Sequence, residues 1–467
     1  MIQMQEPISR VYTDAHVYRR FLEFLGGETL DEATAVYVTH ADGCRIQAGC
    51  MEPVDRLPVL MDNDWDMDRS LLDRKSLLAH LDIEYVNFDS PAECYLNPVR
   101  SFALQQPVID VIEQELLECG IRPLHLLTGQ GHHFVWRIDQ NSDALAQLTA
   151  LMPKNTPEGS PIPFSSLRLH EYSQKWEPPF YGLCLVMEYL AHLIKRFAAP
   201  ESKVPVEMTA VNVGGGGRSR EMISVDISEY GDPLWTRVIR MPFTHYLKPW
   251  KSGLAAALGI AESIPPIFTI PMHEVDMPTA LRMRNSADQT KELAHRACVR
   301  IPEQSEGMSR LISRYMDSPL RRFHQKYDEI PMTTDLDMSW VTEYLPPCAA
   351  YIVANPNDLL LKPSGMKLVV RCLLALGGRP RQIAAMIAGV FKDARYDWSG
   401  VWNVYSPEMR ADFYTRLFVG QIATGLDESV DFNCVSTQEQ GFCFNAQGCN
   451  LKPWRKRLAA TKKDTLL

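Results

Sequence analysis

Residues Leu81–Asp89 read LDIEYVNFD and carry two acid-bearing pairs, Asp82 with Glu84 and Asn87 with Asp89. Successive side chains of a strand leave opposite faces, so an even-numbered pair and an odd-numbered pair cannot serve one site. Leu81, Ile83 and Tyr85 supply an apolar face. Asp82 and Glu84 then share the other face, about 6.5–7 Å apart at the backbone, close enough to converge on one or two cations. Asn87 and Asp89 fall in NFDSP, whose composition predicts a strand end and a turn. Asn is also the poorer ligand for a hard divalent ion. The pair expected to bind metal is Asp82 with Glu84.

Downstream, QQPVIDVIEQELLECG (105–120) has helical spacing, with Val108, Val111, Ile112 and Leu116 on one face. Pro107 suits a first helical turn and Gly120 a C-terminal cap. A strand IRPLHLL, a turn TGQG and a second strand HHFVWRI follow. In that second strand Phe134, Trp136 and Ile138 make a core face, which pushes His133, Val135 and Arg137 to the other. Further β-rich runs are TAVYVTH, LPVLMDN and EMISVDIS. After residue 300 the pattern turns helical, most clearly in GMKLVVRCLLALGG and RPRQIAAMIAGVFKD.

The chain has 467 residues, enough for two or three domains. Its 46% hydrophobic and 22% charged content is that of a globular protein, and no apolar run reaches the ~18 residues of a membrane span. Eleven cysteines in a chain whose N-terminus shows no signal pattern predict a reducing, cytoplasmic setting. The net charge of −9 excludes bulk attraction to nucleic acid, so any such contact must come from local basic patches. The four prolines of AESIPPIFTIPMHEVDMPT (261–279) suggest a boundary. The expected division is a first domain at 1–258, a Pro-rich linker at 259–300 and a helical domain at 301–467.

A strand with D-x-E, a helix, and then a strand–turn–strand bearing His resembles the archaeo-eukaryotic primase family of primase small subunits and primase-polymerases. The second motif of that family is a small residue, any residue, then His. Here it is Gly131-His132-His133, with Gly131 in place of the commoner Ser. The third, an apolar residue and Asp, is Val225-Asp226; Arg237, Arg240 and Lys248 match the basic residues that follow it. The resemblance spans roughly residues 30–255. It implies a primase-type (RRM-like) α+β catalytic domain with Asp82, Glu84 and Asp226 holding Mg2+ or Mn2+. It also implies Gly131, His133, Arg237, Arg240 and Lys248 binding the nucleoside triphosphate. Nucleotidyl transfer calls for two cations about 3.5–4 Å apart, so three carboxylates beside phosphate-binding cations suit the chemistry.

Two stretches invite other assignments. DNDWDMDRSLLD (62–73) spaces its acids like a calcium loop but has Met67 where that loop needs Gly, so a solvated turn and helix start are expected. GGGGRSR (214–220) lacks the Lys-Ser/Thr of a phosphate loop. Its Arg218 and Arg220 are expected to touch template or primer instead.

Cys434, Cys443 and Cys449 are too widely spaced for a zinc knuckle, and Cys348 in YLPPCAAYI offers a fourth thiol. Pro-Pro-Cys, a helical stretch and three unevenly spaced cysteines resemble the C-terminal domain of the primase large subunit, over roughly residues 335–455. That resemblance implies a mostly α-helical domain in which the four cysteines bind a [4Fe–4S] cluster, with zinc the alternative. The other cysteines (44, 50, 94, 119, 184, 298, 372) are expected to be ordinary core residues. Together the two resemblances imply a DNA primase or primase-polymerase that makes or extends short primers. Single-stranded DNA template, nucleoside triphosphates and a replicative helicase would be its partners, and no membrane. The competing expectations are a non-catalytic strand-binding protein on the same fold and an end-joining or lesion-tolerant polymerase.

Overall fold

A computed structural model describes residues 9–40, 51–153, 162, 167–209, 220–272, 275–332, 343–398, 401–427, 434–439, 441–444 and 448–460. The class is α+β. Ten strands occur among these residues: β1 (Val38–His40), β2 (Met51–Glu52), β3 (Met67–Ser70), β4 (Ser76–Asn87), β5 (Leu124–Leu127), β6 (Gly131–Asp139), β7 (Val206–Met208), β8 (Glu221–Asp226), β9 (Val238–Arg240) and β10 (Ile270–Pro271). No helix among the described residues is long and apolar enough to cross a membrane.

The chain forms two compact units, each built from separate stretches. The first comprises Met1–Ala150, Ile162–Leu183 and Leu234–Arg310; the second comprises Leu151–Pro161, Cys184–Pro233 and Leu311–Leu467. Residues 259–300 stay within the first unit and do not run as a bare linker. They contain β10, which pairs with β5, and the helices Met277–Met283 and Ala287–Arg296. Pro271 sits in a short edge strand, where a missing N–H is tolerated, and Pro278 in a first helical turn capped by Asp276.

In the first unit β5, β6 and β4 are successive antiparallel neighbours, and β10 flanks β5. Leu81 and Ile83 of β4, with Phe134 and Trp136 of β6, are fully or almost fully buried. The helix Pro98–Glu118 contributes Phe102, Val108, Ile109, Ile112 and Leu116 to the core. It starts nine residues earlier than its sequence suggests. Pro98 occupies the first turn and Pro107 lies inside, while Gly120 (φ +70°) ends it as expected. A second antiparallel sheet runs β2-β1-β3-β9.

Two local expectations are corrected here. LPVLMDN is a helix, Leu57–Asp62, with Pro58 in its first turn. DNDWDMD is not a solvated turn and helix start: after the turn it enters β3, with Asp66 1% and Asp68 5% exposed. Burial pushes the Asp68 carboxyl up to about 7, against the opposing pull of Lys251. Asp66 is compensated directly, by Arg240 and by the Leu247 backbone N–H at 3.1 Å.

The second unit is largely helical. Pro319, Pro347, Pro363, Pro380 and Pro407 each open a helix, where the absent N–H would have had no intrahelical partner. The helix Pro407–Ala423 is buried along almost its whole length. Its Arg416 Nε donates to Glu188 Oε2 at 3.0 Å, and His324 Nε2 lies 3.1 Å from Glu188 Oε1. Burial alone would push the Glu188 carboxyl up; His324 and Arg416 outweigh it and hold it at about 2. The remaining strands form a parallel pair, β7 with β8.

Cys94, Cys119, Cys184 and Cys372 are buried, as expected of core residues. Cys298 is exposed instead, because the helix Ala287–Arg296 has already ended and its thiol points toward Glu23 at 3.6 Å. Cys44 and Cys50 lie outside the described residues.

The buried charges give the first prediction. Arg416→Met leaves Glu188 buried without its full cation and costs about 3–5 kcal/mol. Arg416→Met with Glu188→Leu recovers most of that loss, because two apolar groups need no partner. Urea unfolding midpoints of the two variants compare them directly.

Candidate functional site

The pairing of β4 with β6 sets the geometry. Asp82 stands opposite His133, and Glu84 opposite Gly131. Both acids are half-buried, whereas Leu81, Ile83 and Tyr85 are buried, as the alternation requires. Asn87 ends β4 as a turn former: its Oδ1 accepts the N–H groups of Asp89 and Ser90, both at 2.9 Å. That side chain is used locally, and the pair that faces His133 is Asp82 and Glu84.

His133 Nε2 lies 3.4 Å from Asp82 Oδ1, and among the described residues its Nδ1 has no hydrogen-bond partner. Burial lowers the His133 pKa well below the usual imidazole value, and His80 and Lys248 lower it further. The imidazole is therefore neutral at neutral pH, and its contact with Asp82 is not an ion pair. The His80 ring stands edge-on to it at 4.7 Å. His80 precedes Asp82 by two residues and shares its face, so the same alternation that selects Asp82 and Glu84 also brings in His80.

Lys248 Nζ sits 3.1 Å from Glu84 Oε1. Its pKa is raised, chiefly by the Glu84 charge, with burial opposing. Asp82, Glu84, Gly131, His133 and Lys248 are thus brought together in the first unit. Arg240 is committed elsewhere: it pairs with Asp66 and lies 4.7 Å over the Tyr246 ring. Arg237 precedes β9, and its carbonyl accepts the Leu71 N–H at 2.8 Å. Asp226 ends β8 in the second unit, where its Oδ1 accepts the Ser228 N–H at 2.8 Å.

The turn before Gly131 is held by residues that no sequence pattern announces. Tyr95 and Tyr246 hydroxyls both donate to Gln130 Oε1, at 2.8 and 3.0 Å. The fully buried Arg284 donates to the carbonyls of Thr128 (2.9 Å), Gly129 (3.2 Å) and Cys94 (2.6 Å). The stretch LRMRN carries no motif that singles out Arg284, so only the fold reveals it. Arg220 begins β8's approach in the second unit; Arg218 lies outside the described residues.

Far along the chain, Cys348, Cys434, Cys443 and Cys449 line one cavity of about 380 Å³ in the second unit, together with Pro347, Lys452 and Arg455. Cys348 is fixed at the start of the helix Pro347–Ala354 and Cys434 at the start of Cys434–Glu439. Burial pushes the Cys348 thiol up to about 11, and the neighbouring Cys434 and Cys443 add to the shift. Burial also raises Cys434, with Cys449 and Cys443 contributing. Among the described residues no group of three or more His, Cys, Asp or Glu is drawn together tightly enough to hold a metal ion.

Comparison with protein-family models, with curated proteins and with solved structures finds no match.

Gly131 has a steric reason to be glycine. A Cβ there would stand 1.7 Å from the Ile83 carbonyl oxygen. Gly131→Ala should therefore lower the unfolding midpoint by the equivalent of about 1–3 kcal/mol with no ligand present. Gly389→Ala, in a helix with open space around its Cβ, should instead gain about 0.5–1 kcal/mol. Thermal melts of both variants test the contrast.

Proposed function

We propose that the chain is a nucleotidyltransferase of primase or primase-polymerase type, joining nucleoside triphosphates on a single-stranded DNA template. The observation that carries this reading is the face shared by Asp82 and Glu84 with His133 directly opposite. Two half-buried carboxylates on one strand face suit a divalent cation. Mg2+ is commonly held by one or two carboxylates, with water and substrate phosphates completing the shell, so the pair suits it. When bound, Mg2+ or Mn2+ would supply positive charge to the triphosphate and to the attacking hydroxyl.

The chain's own residues have distinct parts in this reading. Asp82 and Glu84 hold the cation. His133, kept neutral by burial, can donate one hydrogen bond to a phosphate oxygen without adding charge. Lys248 offers a point charge on a flexible stem. Gly131 keeps β4 and β6 close. Arg240 supports the site by packing against Tyr246, which in turn holds Gln130. Asp226, the third carboxylate of the resemblance, is tested by its own substitution.

The cysteine cavity supports a large-subunit-type iron–sulfur domain. Four thiols around one cavity are a donor set for a [4Fe–4S] cluster. A single zinc ion on the same thiolates is the alternative. Cys348, Cys434, Cys443 and Cys449 would hold the cluster, and Lys452 and Arg455 put positive charge beside it for phosphate contact.

Primer synthesis from nucleoside triphosphates on unprimed single-stranded DNA, with Mn2+, tests the catalytic reading. Asp82→Ala should reduce it at least about a hundredfold while strand binding persists; Asp226→Ala should do the same. Asn87→Ala should retain most activity. Strand binding without synthesis in the unaltered chain would give the non-catalytic reading instead.

Anaerobically purified protein should be brown and contain iron. Cys443→Ser should bleach it and lower its thermal stability, since cluster-binding energy is folding energy. A colourless protein with one tightly held zinc would replace the cluster assignment.

A further inference from the structure

We propose that Lys248 is a resident counter-ion of the Asp82–Glu84 pair, holding the cation position beside Glu84 until a divalent ion displaces it. This rests on the metal-binding reading above. The ammonium is 3.1 Å from Glu84 Oε1, so it neutralises that carboxylate directly. The lysine side chain is 41% exposed and the glutamate 30%, so the pair is in reach of water and separates without disrupting a core. The backbone is anchored by the buried Pro249 that follows. Four carbons of side chain let the head swing while that anchor stays in place.

Arg240, the other cation of this region, pairs with Asp66 instead. A divalent ion and an ammonium repel each other, so an ion that binds Glu84 must drive Lys248 off it. The same event frees a positive charge close to where the ion's phosphate ligands would lie. Loading of metal and exposure of a phosphate-binding lysine thus become one step. Without the ion, the lysine is occupied and the carboxylate is masked.

Titration of Mn2+ alone into the full chain, with the free ion read by electron paramagnetic resonance, tests this. Lys248→Met should bind Mn2+ roughly two- to fivefold more tightly than the unaltered protein, the scale of a partly exposed ion pair. Lys248→Arg, which keeps the charge, should bind no more tightly. Unchanged or weaker binding by a folded Lys248→Met overturns the proposal. If that variant fails to fold, Lys248→Gln serves for the same comparison. Asp82→Ala separates the two readings. Binding that Asp82→Ala abolishes but Lys248→Met leaves unchanged removes only the counter-ion role. Binding that ignores Asp82→Ala removes the metal-binding reading and the counter-ion with it.

Discussion

The candidate catalytic face depends on one register, Asp82 opposite His133 and Glu84 opposite Gly131. Because side chains alternate, a slip of a single residue would turn Leu81 and Ile83 toward Lys248 and bury both carboxylates. Gly131 fixes the alignment by admitting the Ile83 carbonyl where any side chain would collide. The hairpin adds to this: the Thr128 N–H bonds the Gly131 carbonyl at 2.9 Å, and the Gly131 N–H bonds Thr128 Oγ1 at 3.2 Å. The placement of Asp82 is thus secured by backbone geometry several residues away.

Charge is handled in two ways. Beside the candidate site of the first unit the Glu84–Lys248 pair stays partly exposed, whereas Asp66 with Arg240 and Asp73 with Arg69 are buried pairs. In the second unit, charges lie in the helical core. Glu188 is met by Arg416 and His324, and Glu207 by Lys195 at 2.9 Å and Lys367 at 3.3 Å. Such pairs resist separation because either partner alone would be a buried charge. Partly exposed pairs exchange partners at small cost. That contrast fits a scaffold role for the one set and a ligand role for the other.

Short-range rules made much of this legible in advance. Alternation correctly assigned the faces of β4 and β6 and therefore the neighbours of Asp82. The Asx turn at Asn87 and the glycine end at Gly120 followed from local stereochemistry. Three cysteines lie close together in the tail, and Cys348, separated from Cys434 by 85 residues of chain, lines the same cavity. Long-range compensation escaped the same rules. Asp66 and Asp68 read as solvated because nothing nearby in sequence offsets their burial; Arg240 offsets that of Asp66 from 174 residues away, and Lys251 acts on Asp68. The prolines of 261–279 read as a linker because a helix start or an edge strand tolerates Pro as well as a loop does.

Arg284 gives the first unit a dependence on the order of synthesis. The turn at Thr128 receives its guanidinium clamp from a residue 156 positions later. At ribosomal speeds of about 5–20 residues per second, that residue follows the turn by roughly 8–30 s. During that interval the Thr128 and Gly129 carbonyls lack the buried donor that later holds them, and β5 has not yet gained β10 as an edge partner. A chain that stops at residue 258 never acquires either one. The N-terminal half of this protein is consequently finished by its middle, and a nascent chain carries the Asp82–Glu84 pair long before it can hold the facing turn in place.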